Sequence, residues 1–380
     1  MEETAMKLKI AHVVTLISPD GSYGGPVRVA VNQAKELLKL GHEVVIYGTY
    51  SGFKTAPTHI EGVPAKLYRA RNLVPGRGFA GTFSGALLRR FAVDVRAYDL
   101  VHVHMARDLV TMPAAVIAKM TGTPYVLQTH GMIDGSSKPM AVPLDAALTR
   151  PLLRGASCVF HLTQTELAQL KEVARTPIRL QELHNAVPQA EPTVTLPTST
   201  EVLYLARLQS RKQPALFAQV AAALLRKGVK AHFSMVGPDE GEALHISEII
   251  ADFDPGQLLW EGALAPEFTL DRMRKASLYV LPSVDEPFPM SVLEAISVGV
   301  PVIITNTCGL ARAIEGAKAG LVIEPDFQQL AEAITQLVEN HELRNEMGAN
   351  ARRLANDSFS MDVIAKRLVE TYHRSVSASV

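Results

Sequence analysis

Short β-rich runs alternate with amphipathic stretches along the first half of the chain. The first amphipathic stretch has apolar residues at helical spacing from Val27 to Leu38, with Pro26 suited to its first turn and Gly41 to its end. Strands that alternate with helices predict a parallel sheet covered by helices on both faces. The predicted strands of this half are residues 8–16, 42–50, 100–105, 124–130 and 156–163.

The second half repeats the same alternation. A helix is predicted from Gln213 to Lys227, and further helices separate the later strands. From about Phe327 onward the pattern is helical with no further strand, so these last helices must pack on surfaces that are already formed. The predicted strands are residues 201–208, 230–237, 258–262, 277–283, 301–305 and 320–325.

A polar, proline-rich segment separates the two halves at about residues 186–200. Because 380 residues exceed what one hydrophobic core usually serves, we expect two domains, 1–188 and 200–358. Both are predicted to be α/β and Rossmann-like, with doubly wound parallel sheets. The carboxyl ends of the two sheets would face each other across a cleft, which is where such folds bind ligands.

Charge and cysteine content exclude several classes of protein. Lys plus Arg and Asp plus Glu both number 38, and this balance argues against nucleic acid as the main partner. Cys158 and Cys308 lack the spacing of a metal site and are expected to be buried thiols. We find no apolar run long enough to span a membrane and no signal peptide, so we expect a cytoplasmic protein.

Two features of the first half are candidate ligand contacts. Gly21, Gly24 and Gly25 precede the predicted helix start at Pro26, where glycine and free amides allow an anion to approach; a plain tight turn explains them equally well. His130 ends a strand and precedes a glycine, which is a cleft-facing place in an α/β domain, and a structural role is the alternative.

A metal site in this half is not expected. His102 and His104 fall on one face of a single strand, two positions apart, which is a spacing that can serve a metal. The sequence shows no third ligand for them, neither an HExxH pattern nor a nearby carboxylate cluster. We therefore predict no metal.

Basic residues and a glycine follow the first strands of the second half. Arg207 ends a strand, and Arg211 and Lys212 are predicted to lie at a helix start, where the helix dipole disfavours cations and favours anions. This combination indicates a phosphate site, with a solvated charge pair as the alternative. Gly237 ends the next strand at another position of close approach.

The strongest candidate is the segment DEPFPMSVLEA, which holds Glu286 and Glu294. A strand leads into the loop with Glu286, and Glu294 lies on the following helix among apolar neighbours. Seven residues separate the two glutamates, so both can point towards one ligand if the loop stays close to the helix start. Two carboxylates with helix-start amides between them suit a polyhydroxyl group attached to a diphosphate.

This segment resembles the E-x7-E motif of the retaining GT-B glycosyltransferases of family 4, and the resemblance extends over nearly the whole chain. It implies that Glu286 contacts the transferred sugar, Glu294 the ribose, and Arg207 with Lys212 the diphosphate. It also implies that His130 lies beside the reacting sugar, and that a final helix, about 360–380, returns to the amino-terminal, acceptor-binding domain. The implied catalytic residues are His130, Glu286, Arg207 and Lys212. The implied donor-binding residues are Gly24, Gly25, Arg207, Lys212, Gly237, Glu286, Phe288, Met290, Ser291 and Glu294.

The reaction implied by the resemblance is metal-independent transfer with retention from a nucleotide sugar to a glycan, lipid-linked or small-molecule acceptor. A UDP-sugar is favoured and a GDP-sugar is the alternative. The family often has EGFGL where this chain has EPFPM, so Pro287 and Pro289 remove two amide donors and stiffen the loop. Alternative functions for the fold are a nucleotide-sugar epimerase, a glucan phosphorylase and a catalytically silent sugar-nucleotide-binding protein.

Residues 66–96 hold seven Lys or Arg and one acid, Asp94. Apolar residues are interleaved with these charges: Phe79, Phe83, Leu87, Leu88 and Phe91. Such a stretch is typical of a surface that docks on an anionic membrane, and an ordinary helix with a solvated basic face is the alternative.

Overall fold

The computed structural model describes residues 6–19, 24–74, 78–135, 141–187, 200–265 and 268–378. The chain divides into two compact units. The first unit comprises Met1–Ala186 and Met361–Val380, and the second comprises Val187–Ser360. Most of the predicted linker, 188–199, lies outside the described residues.

An eight-stranded sheet forms the centre of the first unit, in the order β10-β9-β8-β7-β1-β2-β4-β3. All neighbouring strands are parallel except β3 and β4. Its strands are β1 (Lys9–Ile17), β2 (Glu43–Tyr50), β3 (His59–Ile60), β4 (Val63–Arg69), β7 (Leu100–His104), β8 (Tyr125–Gln128), β9 (Cys158–His161) and β10 (Leu180–Glu182), and a separate antiparallel pair is β5 (Arg71–Asn72) with β6 (Thr82–Phe83). Its helices are α1 (Gly24–Lys39), α2 (Gly85–Asp94), α3 (Thr111–Thr121), α4 (Ala141–Leu144), α5 (Arg150–Gly155) and α6 (Gln164–Ala174).

Apolar side chains cover both faces of this sheet and form two buried clusters. One cluster joins the α1 residues Ala30 and Leu37 to Ile364 and Leu368, which belong to the last helix of the chain, Met361–Ser377. Burial on both faces is the pattern expected of a parallel sheet. The chain end is therefore part of the first unit's core.

The second unit contains a six-stranded, wholly parallel sheet in the order β13-β12-β11-β14-β15-β16. Its strands are β11 (Glu201–Leu205), β12 (His232–Val236), β13 (Leu258–Trp260), β14 (Leu278–Leu281), β15 (Val302–Thr305) and β16 (Gly320–Ile323). Its helices are α7 (Pro214–Arg226), α8 (Ala243–Ile250), α9 (Thr269–Lys275), α10 (Met290–Ser297), α11 (Ala311–Ala317), α12 (Phe327–Glu339) and α13 (His341–Ser358), and α14 is the last helix named above. Relabelled from its first strand, this order is 3-2-1-4-5-6, the Rossmann order. The predicted α/β class and doubly wound sheets are confirmed.

Several predicted local features differ from the structure. Helix α1 begins at Gly24, not Pro26, so Gly24 and Gly25 form part of its first turn. Arg211 and Lys212 lie in a short 3-10 helix, Ser210–Lys212, and not in the first turn of α7. Gln213, in a left-handed conformation (φ 52°), separates the two helices. Residues 66–96 are not one helix: they span β4, β5, β6 and α2.

Both cysteines are buried and free, as expected from their apolar surroundings. Burial raises the pKa of Cys308 to about 12 and that of Cys158 to about 11, so both remain thiols at neutral pH. Among the described residues, no helix combines the length and apolar character needed to cross a membrane.

Gly237 is required by the packing of β12 against β11. Its φ is 150°, and a Cβ at this position would lie 1.9 Å from the carbonyl oxygen of Ala206. The backbone beyond β11 can therefore lie this close only if residue 237 has no side chain.

We predict that Gly237→Ala destabilises the second unit by more than the roughly 1–3 kcal/mol of backbone strain alone, because the methyl group also displaces the segment at Ala206. Urea unfolding measures the loss. Gly316→Ala is the matched control, since a Cβ there meets nothing within 4 Å and no left-handed φ is required. Equal stability of the two variants would contradict the prediction.

Candidate functional site

The strand order of the second unit places its candidate residues at one edge of the sheet. β11 lies between β12 and β14, so the connections that leave β11 and β14 run to opposite faces and separate at the carboxyl ends of these strands. Arg207 and Lys212 follow β11, and Glu286 follows β14. Ligands of open α/β sheets bind at such a switch point.

Lys212 and Glu286 form a buried ion pair at this point. The Lys212 Nζ lies 2.5 Å from a carboxylate oxygen of Glu286, and the two residues are 8% and 7% exposed. Arg211 approaches the same carboxylate at 3.5 Å from the more exposed side. The sequence predicted a phosphate-binding cation and a sugar-binding carboxylate but did not predict that they pair with each other.

Backbone contacts fix the loop that carries Glu286. Its carbonyl accepts a hydrogen bond from the amide of Gly309, and the amide of Asp285 donates to the Thr307 hydroxyl. Asp285 has a φ of 51°, a left-handed conformation that costs free energy in a residue other than glycine. The surrounding contacts therefore hold Glu286 in one orientation.

Helix α10 follows this loop and carries Glu294, which is 7% exposed. Pro289 caps the helix, so the first-turn amides at Met290 and Ser291 point out of the helix start. The Ser291 hydroxyl accepts a hydrogen bond from Tyr279 at 2.7 Å, whereas Phe288 is buried edge-to-face against Phe359. Phe288 thus supports the loop from inside the unit.

Arg207 and Gly237 lie beside each other at the ends of β11 and β12. Arg207 is 53% exposed in its side chain and pairs with Glu240 at 2.9 Å. The structure thus places Arg207 in an exposed ion pair of its own, while Lys212 pairs with Glu286 inside the unit.

In the first unit, His130 follows β8 with a φ of 51° and is partly exposed. The turn is held by Glu166, whose carboxylate accepts hydrogen bonds from the Thr129 hydroxyl and from the amides of Gly131 and Leu162. Burial lowers the pKa of His130 to about 3, so the ring is neutral at physiological pH. The sequence identified His130 but not Glu166, which comes 36 positions later.

Three further histidines lie beneath His130. His12 on β1 pairs in register with His102 on β7, and His104 lies on the same face; all three are at most 1% exposed. A nitrogen from each lies within 4.8 Å of the others, so the structure supplies the third histidine that the sequence did not reveal. The reason given above for excluding a metal here, the lack of a third ligand, was therefore wrong.

Asp108 is a second buried carboxylate that the sequence did not reveal. Its carboxylate accepts hydrogen bonds from the amides of Val110 and Thr111 at the start of α3, and from the Thr15 hydroxyl at 2.6 Å. Thr15 belongs to β1 and Asp108 follows β7, the neighbouring strands at the switch point of this sheet. Gly24 and Gly25 start α1 after β1 at the same edge, and Gly21 lies outside the described residues.

Two glycosyltransferase family models match the chain, one in each unit. The family model "Glycosyl transferase 4-like domain" matches residues 24–186, and the model "Glycosyl transferases group 1" matches residues 190–354. Together with two Rossmann-like units, these matches define the protein as a GT-B glycosyltransferase. The chain belongs to family 4 of these enzymes.

Named relatives are distant. A D-inositol 3-phosphate glycosyltransferase of Catenulispora acidiphila is 25% identical over 97% of this chain and 96% of its own length. One from Paenarthrobacter aurescens is 30% identical, but the match covers 48% of this chain and less than half, 45%, of that relative.

Solved structures share the fold at low identity. A sucrose-phosphate synthase from Thermosynechococcus elongatus has a TM-score of 0.72 at 19% identity, covering 98% of this chain and 100% of the other. The Anabaena protein HepE, solved with UDP and glucose, has a TM-score of 0.71 at 17% identity, covering 96% and 99%.

We predict that Lys212→Met lowers the free energy of unfolding by about 3 kcal/mol, because it leaves the Glu286 carboxylate buried with only the more distant Arg211. The double variant Lys212→Met, Glu286→Leu should recover most of this loss, since no charge is then buried alone. Urea unfolding gives both values. Arg211→Met is the control and should cost less than about 1 kcal/mol, because its ion pair is more exposed. A loss in the double variant as large as in Lys212→Met would contradict the buried-pair interpretation.

Proposed function

We propose that the protein is a retaining glycosyltransferase that moves a sugar from a UDP-sugar to a glycan, lipid-linked or small-molecule acceptor. The observation that supports this most is the buried Lys212–Glu286 pair at the switch point of the second sheet. A cation and a carboxylate in contact, beside a helix start, match the two chemical parts of a nucleotide sugar: an anionic diphosphate and a hydroxyl-bearing ring.

Donor binding would exchange the partners of this pair. Lys212 would turn its ammonium group to the diphosphate, and Glu286 would accept hydrogen bonds from sugar hydroxyls. Glu294 would accept hydrogen bonds from the ribose hydroxyls, and the amides of Met290 and Ser291 would donate hydrogen bonds to phosphate oxygens. Each buried charge then keeps a partner of opposite charge or a hydrogen bond, which limits the desolvation cost.

Lys212, Arg207 and the α10 amides would stabilise the negative charge that develops on the leaving diphosphate. We propose that this stabilisation requires no metal ion. Glu286 is engaged by sugar hydroxyls in this scheme, so no carboxylate is assigned as a nucleophile. The incoming hydroxyl would attack from the face that the diphosphate leaves, and a phosphate oxygen would accept its proton.

A nucleotide panel tests the donor class. We predict that UDP and UDP-sugars raise the melting temperature, since a ligand at one hundred times its Kd stabilises the folded state by about 2.7 kcal/mol, and that GDP has a smaller effect. Glu294→Gln should reduce the UDP-induced shift in melting temperature, because a neutral amide oxygen accepts weaker hydrogen bonds from the ribose hydroxyls than a carboxylate does. Glu315→Gln, on an exposed position of α11, is the matched control. If no nucleotide raises the melting temperature, the proposed function fails; if Glu294→Gln binds UDP like the wild type, Glu294 has no ribose contact.

Peripheral contact with an anionic membrane is a further part of this proposal, suited to a lipid-linked acceptor. Leu87 and Phe91 of α2 are buried in the core, and Lys66 and Arg90 pair with Asp94. The apolar residues of α2 that point inward are therefore not free to insert into a bilayer. Contact would be electrostatic, through exposed arginines such as Arg89 and Arg96.

We predict that the protein sediments with anionic liposomes at low salt and is released at high salt. Arg89→Gln combined with Arg96→Gln should weaken sedimentation, because each basic residue near the surface contributes about 1 kcal/mol. Arg353→Gln, an exposed arginine of the second unit, is the control. Absence of binding at low salt would end the membrane proposal without affecting the donor assignment.

A further inference from the structure

His12, His104 and His130 form a continuous chain of ring contacts that begins in the core and ends at the surface. The His12 Nδ1 lies 3.1 Å from the His104 Nε2, and the His104 Nδ1 lies 2.9 Å from the His130 Nε2. His12 is 0% and His104 1% exposed, whereas His130 is partly exposed. Both nitrogens of the central ring are therefore engaged, and His130 is left with its Nδ1 for other contacts.

All three rings are neutral at physiological pH. Burial lowers the pKa of His12 and of His130 to about 3. Burial, together with the neighbouring histidines, also lowers the pKa of His104 well below its usual value. A neutral imidazole carries one N–H and one bare nitrogen, so the chain contains three protons.

Counting these protons leaves two arrangements. Each of the two ring contacts holds one proton between its nitrogens. The third proton is then at one end of the chain, on the Nε2 of His12 or on the Nδ1 of His130. Because His104 has only one N–H, the choice at one end determines the choice at the other.

Burial decides between the two ends. The Nε2 of His12 is buried and has no hydrogen-bond partner in the described part of the chain. Placing the N–H there would leave a donor unsatisfied inside the core, and buried donors without a partner are rare. Placing it on His130 puts the donor where the ring reaches the surface and where water or a ligand can accept it.

We propose that His12 and His104 are positioning residues that hold His130 as the Nδ1–H tautomer, so that its ring presents a hydrogen-bond donor to the substrate. Under the proposed function, on which this role rests, the donor is directed at an oxygen of the transferred sugar. The Nε2 of His130 accepts from His104, so neither nitrogen is open to take a proton from the acceptor hydroxyl. His130 then serves as a donor and not as a general base, which agrees with proton transfer to the phosphate.

The alternative is that His12, His102 and His104 bind a metal ion. Such an ion would take a bare nitrogen from each ring, and because both nitrogens of His104 are engaged it would break the contact of His104 to His12 or to His130. The group contains only histidines among the described residues, so a divalent ion there would be buried without an anionic ligand, at a high desolvation cost. We therefore favour the hydrogen-bonded chain.

Nitrogen-15 NMR of protein labelled at histidine tests the tautomer directly, without any assay of activity. We expect His130, assigned by the loss of its signals in His130→Gln, to be protonated at Nδ1 and bare at Nε2. Protonation at Nε2 instead would overturn the proposal. Zinc found in stoichiometric amount in the purified protein, or zinc that shifts the His12 and His104 signals on addition, would overturn it as well.

Variants test the positioning role once a donor sugar is known. His104→Phe should lower kcat about tenfold, because a loss of that size corresponds to one lost hydrogen bond. The KM for the donor should change little. His104→Asn, whose amide can donate in place of Nδ1–H, should restore most of this loss. Tyr372→Phe is the control, because it removes a contact to the neighbouring His102 but leaves the contacts among His12, His104 and His130 intact. Equal activity of His104→Phe and Tyr372→Phe would reject the role, while the NMR result stays valid even if no nucleotide sugar reacts.

Discussion

The parallel strand order, with its reversal beside the first strand of each unit, is the constraint on which the candidate site depends. Parallel neighbours need crossover connections, and a reversal sends successive crossovers to opposite faces of the sheet. The ends of β11 and β14 are left uncovered by that geometry. Lys212 and Glu286 meet there although 73 residues separate them in the chain.

The two prolines of the EPFPM segment can be understood from this geometry. Glu286 must stay buried beside Lys212, so the loop that holds it has to be ordered before any ligand binds. Proline restricts the unfolded chain and thereby lowers the entropy lost on folding. Pro289 also caps α10, where a missing N–H costs little because first-turn amides have no intrahelical acceptor. The loop gains rigidity, and the amides of Met290 and Ser291 are kept.

Local patterns predicted the sheets, most helices and the two glutamates, because periodicity and spacing are properties of neighbouring residues. The missed features depend on distant residues. His12 joins His102 and His104 only through the register of β1 and β7, some 90 positions apart, and nothing near His12 marks it. Glu166 reaches the His130 turn in the same way. Lys212 was assigned to phosphate from its charge, but its pairing with Glu286 follows from strand order, which the sequence does not display.

The buried polar groups of the two units are satisfied in different ways when no ligand is bound. Such groups need a hydrogen-bond or charge partner even without substrate, since an unpaired buried group destabilises the fold. In the second unit opposite charges satisfy each other, and a charged ligand can exchange with them. In the first unit the rings are neutral, and their proton count leaves one donor at the surface. A charged group suits the recognition of a diphosphate. A neutral, oriented hydrogen-bond donor suits a sugar oxygen, because burying a cationic ring there would carry a large desolvation cost. Under the proposed function, the chemical difference between the two halves of a nucleotide sugar thus corresponds to the difference between the buried groups that would recognise them.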